Sequence, residues 1–280
     1  MTDGRLYVVA TPIGNLQDVT LRALEVLSGV DVIAAEDTRR TRILMNRHGL
    51  DTPLLSLQEH NEKQKAPRLV ERMNAGETIA LVSDAGTPLL SDPGFRLVAL
   101  AAEAGIEVVT VPGPSSISAA LSISGLPTDR FTFEGFLPAR HGARVKSLER
   151  LQYEPRTMVF FESSHRIRES VADLAAVFGE DRPVAVCREM TKQFETVLRG
   201  PLAAVGDRIA GDPDQEKGEF VLVIAGASEQ ADARLADAVV LAKSLLEHLP
   251  ASKAARVAAR LHEVSRREVY SALPYDSDPG

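Results

Sequence analysis

Short apolar runs alternate along the chain with segments of helical spacing, and most of the runs end in loops rich in glycine and proline. Leu6-Tyr7-Val8-Val9-Ala10 reads as a first strand, followed by the loop Thr11-Pro12-Ile13-Gly14-Asn15-Leu16 and a helix over Thr20 to Ser28 capped by Gly29. Val30 to Ala35 reads as a second strand, with Ile43, Leu44 and Arg47 on the helix after it. Leu54 to Leu57 is a short third, and the polar run 58–65 reads as the exposed start of the next helix or as a substrate-facing loop. Ile79 to Val82 is a fourth strand. The residues after it include Asp84, Gly86, Pro88, Asp92, Pro93 and Gly94, which cannot continue a central ladder and must form a tight loop before a helix over Phe95 to Ala104 stopped by Gly105. Glu107 to Val111 is a fifth strand, leading through Pro112-Gly113-Pro114-Ser115-Ser116 into a helix that ends at Ser124.

The second half repeats the alternation. Strands are expected at Phe131 to Phe136, Thr157 to Phe161, Pro183 to Arg188, Thr196 to Arg199 and Phe220 to Ala225, with helices over His165 to Phe178 and Pro201 to Ala210. The Arg-, Gly- and Ala-rich segment Pro138 to Lys146 reads as a linker or flexible arm. From Leu235 onward only helical spacing remains. One helix starts at Pro250-Ala251-Ser252 with Ala255, Ala258, Ala259 and Leu261 inward, and Ser265-Arg266-Arg267-Glu268 has the Ser-x-x-Glu form of a capping box. Two helices joined by a short turn fit either a helix-turn-helix, with Lys253, Arg256, Arg260, Arg266 and Arg267 for phosphates, or a bundle that only packs on the body. Tyr275 to Gly280 reads as a disordered tail.

Composition narrows the class. With 280 residues and 44% hydrophobic content the chain can bury one large or two medium cores. No apolar run approaches the roughly 18 residues of a membrane span, and the start lacks the order of a signal peptide, so a soluble, cytoplasmic protein is expected. Cys187 is the single cysteine, and the six histidines show no ligand spacing, so no disulfide and no metal site is expected. A net charge of −7 argues against a generic nucleic-acid coat, yet Arg39, Arg40, Arg42 and Arg47, then Arg140 to Arg150, then His165, Arg166 and Arg168 form local basic patches able to dock a folded RNA.

Candidate chemistry gathers in the loops. Those after the strands ending near Ala10, Val82 and Val111 suggest one pocket at one edge of the sheet, where open α/β sheets bind ligands. The first loop lacks Gly-x-Gly-x-x-Gly and no phosphate-binding Gly-x-x-x-x-Gly-Lys loop occurs, which disfavours dinucleotides and nucleoside triphosphates. Glu36-Asp37-Thr38-Arg39-Arg40 crowds charge at one strand end, and helix capping accounts for only one residue of it, Asp37 or Thr38.

Six blocks stand in order: Thr11 to Leu16, Ala35 to Arg39, Ser83 to Pro88, Pro112 to Ser115, Glu162 to Arg166 and Lys217 to Glu219. Together they resemble the tetrapyrrole methylase superfamily and, within it, the branch that methylates small-subunit ribosomal RNA, over about residues 5 to 226. The resemblance implies two α/β domains with an S-adenosylmethionine cleft between them, a small C-terminal helix-turn-helix-like region, a homodimer, and 2′-O-methylation of a cytidine, position 1402, in 16S rRNA of the 30S subunit. The expected division is 1–118, 119–228, 229–274 and a tail 275–280. Matched residue by residue, Pro12 and Ile13 belong to the first cofactor loop, Ala85, Gly86, Thr87 and Leu90 to the second, Ser115 and Ser116 to the third, and Phe161, Glu162 and Met190 to the second domain. Tetrapyrrole-methylating relatives carry Gly-x-Gly-Pro-Gly-Asp in the first loop, from which Thr11 to Leu16 departs. Glu36 and Asp37 are the leading general-base candidates, Arg39 the phosphate-placing one, and Glu189 and Lys192 the second-domain alternatives. Asp84 and Asp92 are expected to hold their loop's shape. Two alternatives stay open: a tetrapyrrole or diphthamide-pathway methylase, and a nonenzymatic nucleic-acid-binding regulator.

Overall fold

The computed structural model describes residues 4–227 and 229–273. The first half forms a five-stranded parallel sheet in the order β3-β2-β4-β1-β5, from β1 (Arg5–Val9), β2 (Val32–Ala35), β3 (Leu54–Ser56), β4 (Thr78–Val82) and β5 (Glu107–Val111). Parallel strands need helical crossovers, which cover both faces and explain why β2 and β4 are almost wholly buried apolar runs. On one face α3 (Glu59–Asn74) and α4 (Phe95–Glu103) bury Leu69, Met73 and Leu97 against Leu6, Ile79 and Leu81. On the other, α1 (Leu21–Gly29) and α2 (Thr38–His48) bury Leu27, Leu44 and Met45 against Val9, Ile33 and Val82. Helix α1 starts at Thr20, whose hydroxyl accepts the Ala23 N–H at 3.1 Å; Gly29 is its last helical residue rather than a residue beyond its end.

The second half is a mixed five-stranded sheet, β6-β7-β10-β8-β9, from β6 (Phe131–Phe136), β7 (Thr157–Ser163), β8 (Pro183–Arg188), β9 (Thr196–Pro201) and β10 (Glu219–Ile224). Only the β6–β7 pair is parallel. Helices α7 (Ile167–Phe178) and α8 (Leu202–Gly211) cover one face. The other is covered by α5 (Ser116–Ser124), whose Ile117, Ala120 and Leu121 pack on Val159, Ala185, Cys187 and Val221 together with Ile13 of the first half. Cys187 is fully buried there, and burial pushes its thiol up to about 11. A division after residue 118 cuts through α5, which packs as a unit on the second sheet.

The segment Pro138 to Lys146 is not a free linker. Most of it lies in helix α6 (His141–Glu149), where Arg144 is 1% exposed and its Nε donates to Asp173 of α7 at 2.7 Å. Its guanidinium also donates to the carbonyls of Pro138 and Ala139, so the same side chain folds the entry to its own helix. A buried arginine survives only with this kind of full pairing.

The C-terminal helices α9 (Glu229–Leu245), α10 (Ala251–His262) and α11 (Arg266–Ser271) share a small core of Ala238, Ala242, Ala255, Ala258, Ala259, Val269 and Leu273. Two expectations need correction. Leu261 is 71% exposed: it lies at the edge of the stripe formed by Ala254, Ala255, Ala258 and Ala259, in the last turn of α10. Ser265 does start α11, but its hydroxyl makes no cap bond; Glu268 instead meets the Tyr153 hydroxyl of the second domain, and Arg267 pairs with Glu149 at 2.8 Å. The docking contact therefore takes the acid that the capping box would have used. Burial raises the Glu268 carboxyl to about 7. The expected tail at 275–280 lies outside the described residues.

Candidate active site

Strands β2, β4, β1 and β5 are adjacent, so the loops leaving their carboxyl ends are neighbours in space although they are far apart in sequence. Backbone bonds clamp them together. Thr11 N–H donates to the Gly86 carbonyl at 2.9 Å and Gly86 N–H returns a bond to Thr11 at 3.0 Å, while the Thr87 hydroxyl donates to the Pro114 carbonyl at 3.1 Å. Gly86 has φ +77°, and a Cβ there would sit 3.3 Å from Ile13 Cγ2, so glycine is needed both for the turn and for the approach of the first loop. Leu89 and Ser91, at φ 74° and 68°, hold the same loop in a left-handed conformation that non-glycine residues rarely adopt.

These loops and the edge of the second sheet enclose a cleft of about 630 Å³. Ile13, Ala85, Gly86, Thr87, Leu90, Ser115, Ser116, Phe161, Glu162 and Met190 all line it; Pro12 does not, and lies buried beside Ile13. Ser115 begins α5 without a side-chain cap bond, so its hydroxyl is not committed to the helix. Glu162 is buried and already engaged: it pairs with Arg166 at 2.7 Å, accepts the Ser163 N–H at 2.7 Å and accepts the Ser170 hydroxyl.

The charged cluster at the end of β2 divides. Glu36 faces the cleft, where its Oε2 accepts the Asp84 N–H at 3.3 Å; burial raises its pKa above the usual carboxylate value, that N–H opposes the rise, and the Asp84 and Asp92 charges add to it. Asp92, also in the cleft, is raised by its own burial. Asp37 and Arg39 are not among the lining residues. Asp37 caps α2 through the Arg39 N–H at 2.9 Å and pairs with the Arg39 guanidinium at 2.7 Å, which holds its carboxyl down at about 2. The Arg39 side chain is 89% exposed.

Arg40 lines the cleft instead and pairs with Asp84 at 3.3 Å. Successive helical side chains diverge by about 100°, and sequence gives no phase at a helix start, so Arg39 and Arg40 are indistinguishable without the fold. Asp84 also accepts the Asp37 N–H at 2.9 Å, which fits a shape-holding role. Glu189 and Lys192 pair with each other at 2.8 Å, and Lys192 reaches Glu219 at 2.9 Å; neither lines the cleft. The Ser163–His165 turn, part of the block Glu162 to Arg166, lines it too, as does Phe136, which the sequence does not mark as a site residue.

Electrostatically the cleft is acidic. Glu36, Asp84, Asp92, Glu162 and Glu219 face it against Arg40 and His165, and among the described residues no lysine lines it. Such a site suits a ligand with a cationic centre, apolar walls and close backbone approach better than a polyphosphate. Among the described residues no group of three or more His, Cys, Asp or Glu is placed to hold a metal ion, and no helix is long and apolar enough to cross a membrane.

Residues 5–206 match the family model Tetrapyrrole (Corrin/Porphyrin) Methylases, and residues 227–273 match the RsmI C-terminal HTH domain. The chain is 52% identical over 269 residues to Ribosomal RNA small subunit methyltransferase I of Xylella fastidiosa (strain Temecula1 / ATCC 700964), covering 96% of this chain and 98% of that protein. It is 48% identical to the protein of the same name from Escherichia coli O157:H7, covering 96% and 94%. In fold it is similar to uroporphyrin-III-C-methyltransferase from Thermus thermophilus, with TM-score 0.56 and 22% identity over 79% of this chain and 94% of that one. It is also similar to diphthine synthase, with TM-score 0.57 and 17% identity over 79% of this chain and 90% of that one. The first two likenesses run through both α/β domains and the helical region alike, and the chain belongs to the ribosomal RNA small subunit methyltransferase I family of the tetrapyrrole methylases.

Proposed function

We propose that the chain transfers a methyl group from S-adenosylmethionine to the ribose 2′-oxygen of a cytidine in 16S rRNA of the small ribosomal subunit, the position the resemblance gives as 1402. The observation that carries this is the convergence of the loops after β1, β4 and β5 with Phe161 and Met190 on one acidic, lysine-free cleft. Bound there, S-adenosylmethionine supplies an electrophilic methyl on a sulfonium cation. Ile13, Leu90 and Met190 give apolar walls, Gly86 lets backbone come close, and Ser115 and Ser116 offer hydroxyls and N–H groups at the start of α5.

The ribose hydroxyl must be aligned with the methyl, so positioning is the larger contribution and proton removal the smaller one. Glu36 is the base in this reading: it faces the cleft and its raised pKa brings it closer to neutrality. Asp37, held at about 2 by Arg39, is too weak a base and serves the helix start. Arg40 and His165 take the phosphate-placing role first considered for Arg39, since both face the cleft. The exposed Lys253, Arg256, Arg260 and Arg266 of the helical region provide further phosphate contacts. A homodimer in the cytoplasm is the assembly and place that go with this reading, on family resemblance.

Cofactor binding offers a direct test. Gly86→Val forces a β-branched residue to φ +77° and puts its Cβ against Ile13. With the strain worth roughly 1–3 kcal/mol, S-adenosylmethionine affinity measured by isothermal titration calorimetry should fall about 5- to 150-fold. Unchanged affinity would place the cofactor elsewhere.

A further inference from the structure

We infer that Phe136 is the surface on which the target nucleobase stacks once it has left the RNA helix, an inference that rests on the RNA methyltransferase reading. Strand β6 is an edge strand, and its pairing with β7 shifts register between Phe133 and Gly135. In an unbroken ladder residue 135 would lie opposite Phe161; the bulge puts Phe136 there instead, on the same face as Phe133. Gly135 makes this possible at φ +69°, and a Cβ on it would lie 3.3 Å from the Ser91 hydroxyl oxygen of the cleft loop. The bulge is thus fitted to the cleft and re-aims one ring into it.

That ring is held but not covered. Phe136 meets Phe161 edge to face at 5.4 Å between centroids, and Phe161 is braced in turn by Phe133 at 4.9 Å. Phe161 is half-buried, whereas Phe136 lines the cleft with 55% of its surface open. Its open flat face accepts any base without sequence readout. Arg40 in the same cleft supplies a charge and His165 a ring nitrogen for the flanking phosphates, so aromatic face and polar groups together describe a single nucleotide rather than a small apolar ligand. Glu36 and Phe136 line the same cleft, so a nucleotide drawn out of its strand would bring its ribose toward Glu36 while stacking on Phe136 offsets the stacking lost.

The test compares Phe136→Leu with Phe136→Tyr, using unmethylated 30S subunits and labelled S-adenosylmethionine. Leucine keeps the apolar bulk and removes the ring; tyrosine keeps the ring. The inference predicts that Phe136→Leu raises KM for the subunit about 5- to 150-fold, that Phe136→Tyr stays near wild type, and that both bind S-adenosylmethionine as wild type does in calorimetry. A leucine variant with wild-type KM overturns the inference, and a parallel loss of cofactor affinity overturns it by assigning the ring to the cofactor. Failure of the wild-type enzyme itself to label the subunits overturns the functional reading, and the inference with it.

Discussion

Glu36→Gln is expected to lower kcat for methyl transfer by about 100- to 10,000-fold, the range for loss of a positioned general base. Glutamine keeps the size of the side chain and an oxygen able to accept the Asp84 N–H, so the loop after β4 should stay in place and S-adenosylmethionine should still bind. The pH profile separates loss of a base from loss of shape. Glu36 acts as the carboxylate, so the wild-type rate rises with pH through its pKa, which burial and the neighbouring Asp84 and Asp92 charges place above the ordinary glutamate value. The acid limb of the wild-type profile should therefore lie above that ordinary value, and the glutamine variant should lack it. A glutamine variant with wild-type kcat would leave positioning alone to account for the rate.

The largest effect on stability is expected away from the cleft. Arg144→Met should cost about 3–5 kcal/mol in urea unfolding, because Asp173 would be left mostly buried without its main partner. For a domain of ordinary stability, roughly 5–15 kcal/mol, this is a large fraction. The exposed His141, 3.1 Å from Asp173, is a poor substitute, since it contributes a charge only when protonated. Adding Asp173→Leu to Arg144→Met should recover part of the loss, because an apolar pair replaces a stranded carboxylate. If Arg144→Met unfolds at the wild-type midpoint, the pair does not anchor α6.

The same pair shows where the sequence stops being legible. The strand, loop and helix alternation is readable because buried parallel strands are continuous apolar runs and their loops need Gly and Pro; every strand of the first sheet falls where its pattern predicts. The cleft was readable for a related reason, since loops of one type at one end of successive strands must meet once the strands pair. Segment 138–146 was not, because the partner that orders Arg144 stands 29 residues away on another helix. Helix α5 has the composition of either domain, and only packing assigns it to the second sheet. Phase was the remaining gap: Leu261 and the Arg39–Arg40 pair sit near helix ends, where the apolar pattern that would set the angle runs out. Phe136 carries a local signal in Gly135, a glycine inside a strand pattern, which marks a bulge or a close approach.

The most direct measurement is where the methyl group goes. Purified enzyme, S-adenosylmethionine labelled on its methyl and 30S subunits from cells lacking the modification should give one labelled nucleotide in 16S rRNA. It should be a cytidine whose 3′ linkage resists alkaline cleavage because the 2′-oxygen is blocked. Label on a base, label on a tetrapyrrole offered in the same tube, or no transfer to the subunit would contradict the assignment.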